Sequence, residues 1–282
     1  MSDRVFRHYT QAELDRNYDQ RNWVDNALEV IARYPVSSAA TRRRLSFETA
    51  SYGPSADEVL DIFPCRDPDA PVLIFVHGGA WQNFTKDDYS FVAEGFTSHG
   101  ITTVIVNFAK IAAVRLLGMV EQVRRAINWV RENAARFGGD PERLYLCGHS
   151  SGAQMAASAL LAPFGTPADG VRGLALISGS YDLEPVLLSA RASYVKLDAT
   201  EVDALSPQRH VSRLTCPVLM FYCQHDTDEF QRHSREMGEA IKKAGHLSGL
   251  QRLDGLNHFE IIEELGKPDS SLARTIRRAM RR

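Results

Sequence analysis

The sequence predicts an α/β fold built on a mostly parallel, doubly wound sheet. Three observations carry that expectation. Short apolar runs alternate with helix-period segments through most of the 282 residues, the rhythm of repeated β-α units. The runs at 72–76, 174–177 and 218–222 are almost continuously apolar, as strands are when helices cover both faces of a sheet. Glycines follow the ends of two strand candidates, Gly78-Gly79 after 72–76 and Gly148 with Gly152 around Ser150 after 144–147, where backbone must approach something closely.

Taken in order, residues 11–34 read as a helix ahead of the first strand. Eight strands follow, at 44–48, 57–63, 72–76, 102–107, 144–148, 173–178, 217–222 and 249–253. The clearest helix spans 119–137. Val120, Val123, Ile127, Val130 and Ala134 recur there at steps of three and four, with charged residues opposite, and Gly138-Gly139 ends it. Segments 87–98 and 228–245 carry the same period, the latter through Phe230, Met237, Ile241 and Ala244. Residues 180–213 are too long for a plain connection and read as a small helical cap over the sheet's carboxyl edge. No repeat, low-complexity tract or linker breaks the pattern. The expectation is one domain over 1–282, with an N-terminal helical extension to about residue 43.

Composition narrows the function. A formal net charge of −2 with 44% hydrophobic and 24% charged residues is that of an ordinary globular domain and gives no support to nucleic-acid binding. Two basic clusters, "TRRRL" and "RTIRRAMRR", are the exceptions. In the second, Leu272, Ile276 and Ala279 keep helical spacing, so it reads as the solvated face of a packed terminal helix. No apolar run is long enough to span a bilayer. The polar N-terminus "MSDRVFRHYTQAELDRNYDQRN" lacks the apolar core of a signal peptide, so the expected compartment is the cytoplasm. Cys65, Cys147, Cys216 and Cys223 show neither CxxC pairing nor metal-ligand spacing and read as free thiols, mostly buried. A homodimer is compatible with this composition but nothing specifies one.

The chemistry begins at "LYLCGHSSGAQMAASALL". A strand runs into Gly148-His149-Ser150-Ser151-Gly152 and a small-residue helix starts at once, which is G-x-S-x-G in its strand–turn–helix context. The glycines let neighbouring elements approach a strained turn that presents the Ser150 hydroxyl, and the helix N-terminus adds positive potential beneath a developing anion. A serine nucleophile needs a base, and the base needs an orienting carboxylate. Asp226 follows strand 217–222; its rival, Asp228, suits the first turn of the next helix. His258 follows strand 249–253, the only one of nine histidines so placed. A metal reading of His225, Asp226, Glu229 and His233 lacks HExxH and a third well-placed ligand; neither metal nor cofactor is expected. Acyl transfer creates an oxyanion that needs preorganised N–H donors. Ser151 supplies one, and Gly78 and Gly79 in "HGGAW" supply others from a neighbouring strand end. That loop lacks the GxxxxGK[ST] or GxGxxG form of a phosphate cradle.

"HGGAW", "FGGDPERLYLCGHSSGAQMA", "SGSYDLEP" and "HDTDEFQRHSREM" together resemble the α/β-hydrolase superfamily over about residues 44–265, in the branch with HGG oxyanion loops. With "LDRNYDQRN" they look most like the kynurenine formamidase (arylformamidase) group. The resemblance implies an eight-stranded hydrolase sheet and hydrolysis of an N-formyl aromatic amine. It also implies Ser150, Asp226 and His258 as triad and Gly78, Gly79 and Ser151 as oxyanion donors. Trp81 and Tyr181 are candidate pocket walls, and for Trp81 plain packing is an equal alternative. Ala80 replaces a larger residue of the family pattern, and "NFAKIAAVRL" loses a proline and brings in Lys110; both changes bear on the substrate pocket. A carboxylesterase for small aryl or alkyl esters uses the same chemistry and stays open. A non-catalytic binding protein would have lost a triad residue, and all three are present.

Overall fold

The computed structural model describes residues 4–281. A two-stranded ribbon, β1 (Arg4–Phe6) and β2 (Tyr9–Thr10), precedes the main sheet. That sheet contains β3 (Glu48–Ser51), β4 (Val59–Phe63), β5 (Ala70–Val76), β6 (Thr102–Val106), β7 (Gly139–His149), β8 (Val171–Ile177), β9 (Val218–His225) and β10 (Leu247–Asn257). Their spatial order is 10-9-8-7-5-6-4-3. Only β4 runs against its neighbours; every other pairing in the sheet is parallel.

Alternate residues of the central strands serve two separate cores. Val72, Ile74 and Val76 of β5 enter one, and Leu73 and Phe75 enter the other. Leu174 and Leu176 of β8 part from Ala175 and Ile177 in the same way. Each buried side chain of leucine or phenylalanine size contributes about 1.5–3 kcal/mol, so burial on both faces accounts for the unbroken apolar runs. One face is covered by α3 (Leu116–Asn133), α4 (Ser151–Leu161) and α7 (Asp228–Lys243), through residues such as Val123, Met155 and Met237. The other is covered by the helix Ala27–Arg44 and the terminal helix Ser271–Met280, through Val30, Tyr34, Leu272 and Ile276. No helix among the described residues is long and apolar enough to cross a membrane.

Four local expectations change. The N-terminal helix is two, α1 (Gln11–Asn17) and α2 (Ala27–Arg44), separated by an Asp/Asn-rich turn segment. Thr10 caps α1 in a capping box with Glu13. Helix α2 runs through Pro35 to Arg44, because Val30, Tyr34, Ser38 and Thr41 bury one continuous face; the strand expected at 44–48 therefore starts only at Glu48. Segment 87–98 is a series of 3₁₀ turns. At Gly95 the chain lies so close to the Leu265 carbonyl that a Cβ could not fit. The last basic cluster is not all solvated: Arg277 of α9 (Ser271–Met280) is buried and donates to the Gly95 and Pro268 carbonyls, both at 2.6 Å. Between β8 and β9 the chain forms α5 (Glu184–Leu188), a 3₁₀ turn, α6 (Ala199–Leu205) and a second 3₁₀ stretch, in the region read as the cap. After β10 comes the short α8 (Glu260–Glu263).

Candidate active site

Four loops at the carboxyl ends of β5, β7, β9 and β10 meet at one point, the usual position for a site in an open α/β sheet. Ser150 sits between β7 and α4 with φ 55° and ψ −125°, a conformation that costs a non-glycine residue on the order of 1–3 kcal/mol. The surroundings hold it there. Its N–H donates to the Ile177 carbonyl at 2.9 Å, and Gly148 and Gly152 admit no side chain. A Cβ on Gly152 would strike the Val76 and His77 carbonyl oxygens, and one on Gly148 would strike the Gly152 backbone. The two glycines flanking the serine are there for close packing beneath it.

His258 Nε2 lies 2.9 Å from Ser150 Oγ, and its Nδ1 lies 2.7 Å from Asp226 Oδ1. Asp226 is 1% exposed, and its second oxygen accepts from Ser178 Oγ at 2.6 Å and from the Cys223 N–H at 2.8 Å. A carboxylate so fixed selects the tautomer with hydrogen on Nδ1 and leaves Nε2 free to accept from the serine. Such a chain can take the serine's proton as its oxygen attacks a carbonyl. Asp228 begins α7, exposed and away from His258, where its charge suits the helix dipole.

His258 is held from behind by its own loop and by the N-terminal region. Asn257 Oδ1 accepts from the N–H groups of Phe259 and Glu260, and its amide donates to Asn26 Oδ1. Tyr34 Oη donates to the Phe259 carbonyl at 2.6 Å. His149 Nε2 donates to the His258 carbonyl at 3.0 Å. Burial, reinforced by the neighbouring His258 ring, keeps His149 neutral well below the usual histidine range.

The "HGGAW" loop has three successive residues with positive φ: Gly79 (122°), Ala80 (52°) and Trp81 (62°). The amide groups of Gly78, Gly79 and Ser151 have no hydrogen-bond acceptor among the described residues, so they are free to meet an anionic oxygen. Gly78 faces Ser150 closely enough that a Cβ would stand 3.0 Å from the serine Cβ. Trp81 explains the strained loop and is not a pocket wall. It is 2% exposed, its indole N–H donates to Gln154 Oε1 at 3.1 Å, and its backbone N–H donates to Ser151 Oγ at 3.3 Å. Tyr181 is likewise buried away from the cavity, its hydroxyl accepting from the Gly179 N–H at 3.2 Å. Lys110 is absent from the lining as well; its backbone stretch closes the loop through the Ile111 N–H to the Trp81 carbonyl.

A cavity of about 430 Å³ opens above Ser150 and His258. Sequence reasoning missed its walls. Tyr34, Phe84 and Tyr89 form an aromatic cluster on one side, with ring centroids 5.4–6.0 Å apart. The other side comes from Tyr18 and Gln20 of the N-terminal segment and Arg191 of the cap. Tyr18 and Gln20 lie inside "LDRNYDQRN", a stretch that carries the family resemblance without marking either as a wall, and Tyr34, Phe84, Tyr89 and Arg191 lie in none of the quoted motifs. A buried network holds Tyr18: Tyr181 N–H donates to His233 Nδ1, His233 Nε2 to Tyr18 Oη, and Tyr18 Oη to Glu229, which pairs with Arg232. Glu229 and His233 of the metal reading therefore have structural partners, while Asp226 faces His258 and His225 is exposed.

The chain is 33% identical to a kynurenine formamidase of Danio rerio, covering 94% of each chain. It belongs to the kynurenine formamidase family of α/β-hydrolases. A kynurenine formamidase of Salmo salar is 30% identical over 95% of this chain and 96% of that one. The BD-FAE family model matches residues 60–164 and the Carboxylesterase family model residues 117–269. A solved Silicibacter structure described as a thioesterase superposes with TM-score 0.83 at 25% identity, covering 94% of this chain and 99% of that one. The family is thus a hydrolase family, and this member acts on esters or formamides.

Proposed function

We propose that the protein is an arylformamidase acting on N-formylkynurenine-type substrates. Ser150 Oγ bonds to the formyl carbon while its proton passes to His258 Nε2. Asp226 holds the imidazole and stabilises the imidazolium. The amides of Gly78, Gly79 and Ser151 receive the oxyanion, a contribution typically worth 10²–10³ in rate per donor. The C–N bond then breaks, His258 returns the proton to the leaving aryl amine, and water attacks the formyl ester to release formate and free serine. The observation that carries this reading is the continuous hydrogen-bonded path from Asp226 through His258 to Ser150 at the floor of a cavity walled by Tyr34, Phe84 and Tyr89. Aromatic walls suit an aryl leaving group, and the curated relatives in fish are kynurenine formamidases.

The Carboxylesterase family match favours one second reading, turnover of small aryl or alkyl esters by the same steps. Comparing kcat/KM for N-formylkynurenine with a short p-nitrophenyl ester series decides between them. A strong preference for the formamide is expected; negligible formamide turnover with efficient ester cleavage assigns the protein to esterases.

A further inference from the structure

Arg191 is a buried cation without a buried counter-charge. It is 8% exposed and lines the cavity together with Ser150 and His258. Its Nε donates to the Tyr18 carbonyl at 3.0 Å and one terminal nitrogen to Gln20 Oε1 at 2.6 Å. Among the described residues the other terminal nitrogen has no partner, and no carboxylate lies within 4.0 Å of the guanidinium. The two acids of the cavity lining are already engaged. Asp15 accepts from the Ala190 N–H and from Gln11, and Asp19 accepts from Asn22 beside Arg21. The rings of Tyr18, Trp81 and Phe230 surround the guanidinium carbon at 5.6, 5.8 and 5.9 Å. Cation–π contact offsets part of the lost hydration, but rings accept no hydrogen bonds in the plane of the fork.

A second observation points the same way. Gln20 is 6% exposed, lines the same cavity, and its amide nitrogen is buried with no acceptor. Since its oxygen is committed to Arg191, the donor end of the amide stands unused beside an unused edge of the guanidinium. Buried donors without acceptors are uncommon in folded proteins. Two together, one of them permanently charged, make a receptor for an oxyanion carried by something that enters the cavity. Phe230 bounds the spacing: its ring centroid is 5.9 Å from Arg191 Cζ and 5.0 Å from the His258 ring centroid, so the guanidinium and the imidazole stand at most about 11 Å apart, within the reach of one small substrate. The oxyanion of the reaction itself falls to the free amides of Gly78, Gly79 and Ser151.

We propose that Arg191 and Gln20 form a subsite that reads a carboxylate on the leaving group of the substrate. This rests on the hydrolase reading of the Ser150 site. The carboxylate is taken by the Arg191 fork, the geometry that guanidinium matches best, with Gln20 Nε2 as the neutral second donor. The consequence is selection: a leaving group of the right shape but lacking the carboxylate leaves both donors buried and unpaired, a stronger rejection than a hydrophobic wall can supply.

The test compares N-formylkynurenine with its decarboxylated counterpart, N-formylkynuramine, on the unaltered protein. A preference of about 100-fold in kcat/KM for the carboxylate is expected, carried mainly by KM. Arg191→Gln should collapse that ratio to within about threefold, and Gln20→Leu should lower it by a smaller factor. Arg191 also ties the cap to Tyr18, so a poorly folded variant is foreseen, and an inhibitor pair on the unaltered protein gives an independent answer. 3-Benzoylpropionate should inhibit competitively at least tenfold more tightly than 1-phenylpentane-1,4-dione, its uncharged and non-hydrolysable methyl ketone. Equal turnover of the two formamides together with equal inhibition by the pair overturns the subsite. If no formamide is cleaved, the formamidase reading fails by itself, and the inhibitor pair, measured against p-nitrophenyl acetate hydrolysis, still decides the subsite.

Discussion

The floor and the walls of the cavity are built on different principles. The floor comprises Ser150, His258, Asp226 and the glycine amides, and it is fixed by contacts that admit no adjustment. Gly148 and Gly152 have no room for a methyl group, and Asp226 accepts three hydrogen bonds while 1% exposed. The walls come from Tyr18, Gln20, Tyr34, Phe84, Tyr89 and Arg191, drawn from the N-terminal segment, the loop after β5 and the cap. They are held by ordinary side-chain packing and by hydrogen bonds between segments far apart in sequence, such as Arg191 to the Tyr18 carbonyl. The difference teaches where change can be absorbed: substitutions in the floor should remove turnover, and substitutions in the walls should redirect it.

Four measurements break or sharpen this contrast. Ser150→Ala should abolish hydrolysis and labelling by a fluorophosphonate probe, a loss on the order of 10⁴-fold or more in kcat; measurable labelling of that variant would remove the serine from the floor. Asp226→Asn should cost about 10⁴-fold by presenting the wrong imidazole tautomer, while Asp228→Asn, exposed at the start of α7, should change kcat less than twofold. A larger effect at Asp228 would assign the acid wrongly.

The third concerns the layer beneath the floor. Burial, opposed in part by a hydrogen bond to the Gly78 carbonyl, holds His77 down to about 4, and burial also depresses His149 and His233. These groups are neutral in the folded protein and take up protons on unfolding below about 6.5. Their contribution is therefore complete above that pH and lost as the pH falls toward 4. His77 alone accounts for about 3 kcal/mol across that window. Chemical denaturation at pH 7.5, 6 and 5 should show the decline, and a flat profile would contradict the buried neutral state. The smallest effect belongs to the walls. Phe84→Ala should raise KM for aryl substrates about tenfold, the scale of a lost aromatic contact, with kcat nearly unchanged. A kcat loss of the same size would show that wall and floor are coupled.

The same contrast governs what could be read from residues alone. The two-sided core was legible in runs such as 72–76 because burial on both faces leaves no polar positions to obscure a strand. The floor was legible because its chemistry demands particular residues at fixed places after strands: a serine between glycines, an acid, then a histidine. The walls were not. Trp81 was a candidate lining residue, yet it anchors the strained loop through Gln154. Tyr181 is fully buried with its hydroxyl on the Gly179 N–H. An aromatic residue facing a cavity and one facing a core leave the same mark in a sequence; only the path of the chain separates them. Arg191 carried no signal either, because its meaning lies in the absence of a partner that folding alone reveals.

The ties behind His258 have a consequence for how the protein is made. Asn26 and Tyr34 hold a loop that lies 231 and 225 residues further along the chain, and His258 itself follows Ser150 by 108 residues. At a ribosomal rate of about 5–20 residues per second, the serine waits on the order of 5–20 s for its base. Through that interval the emerging polypeptide carries its hydroxyl unarmed. His258 follows β10, the last strand to be made, so cleavage begins only when synthesis of the sheet has finished.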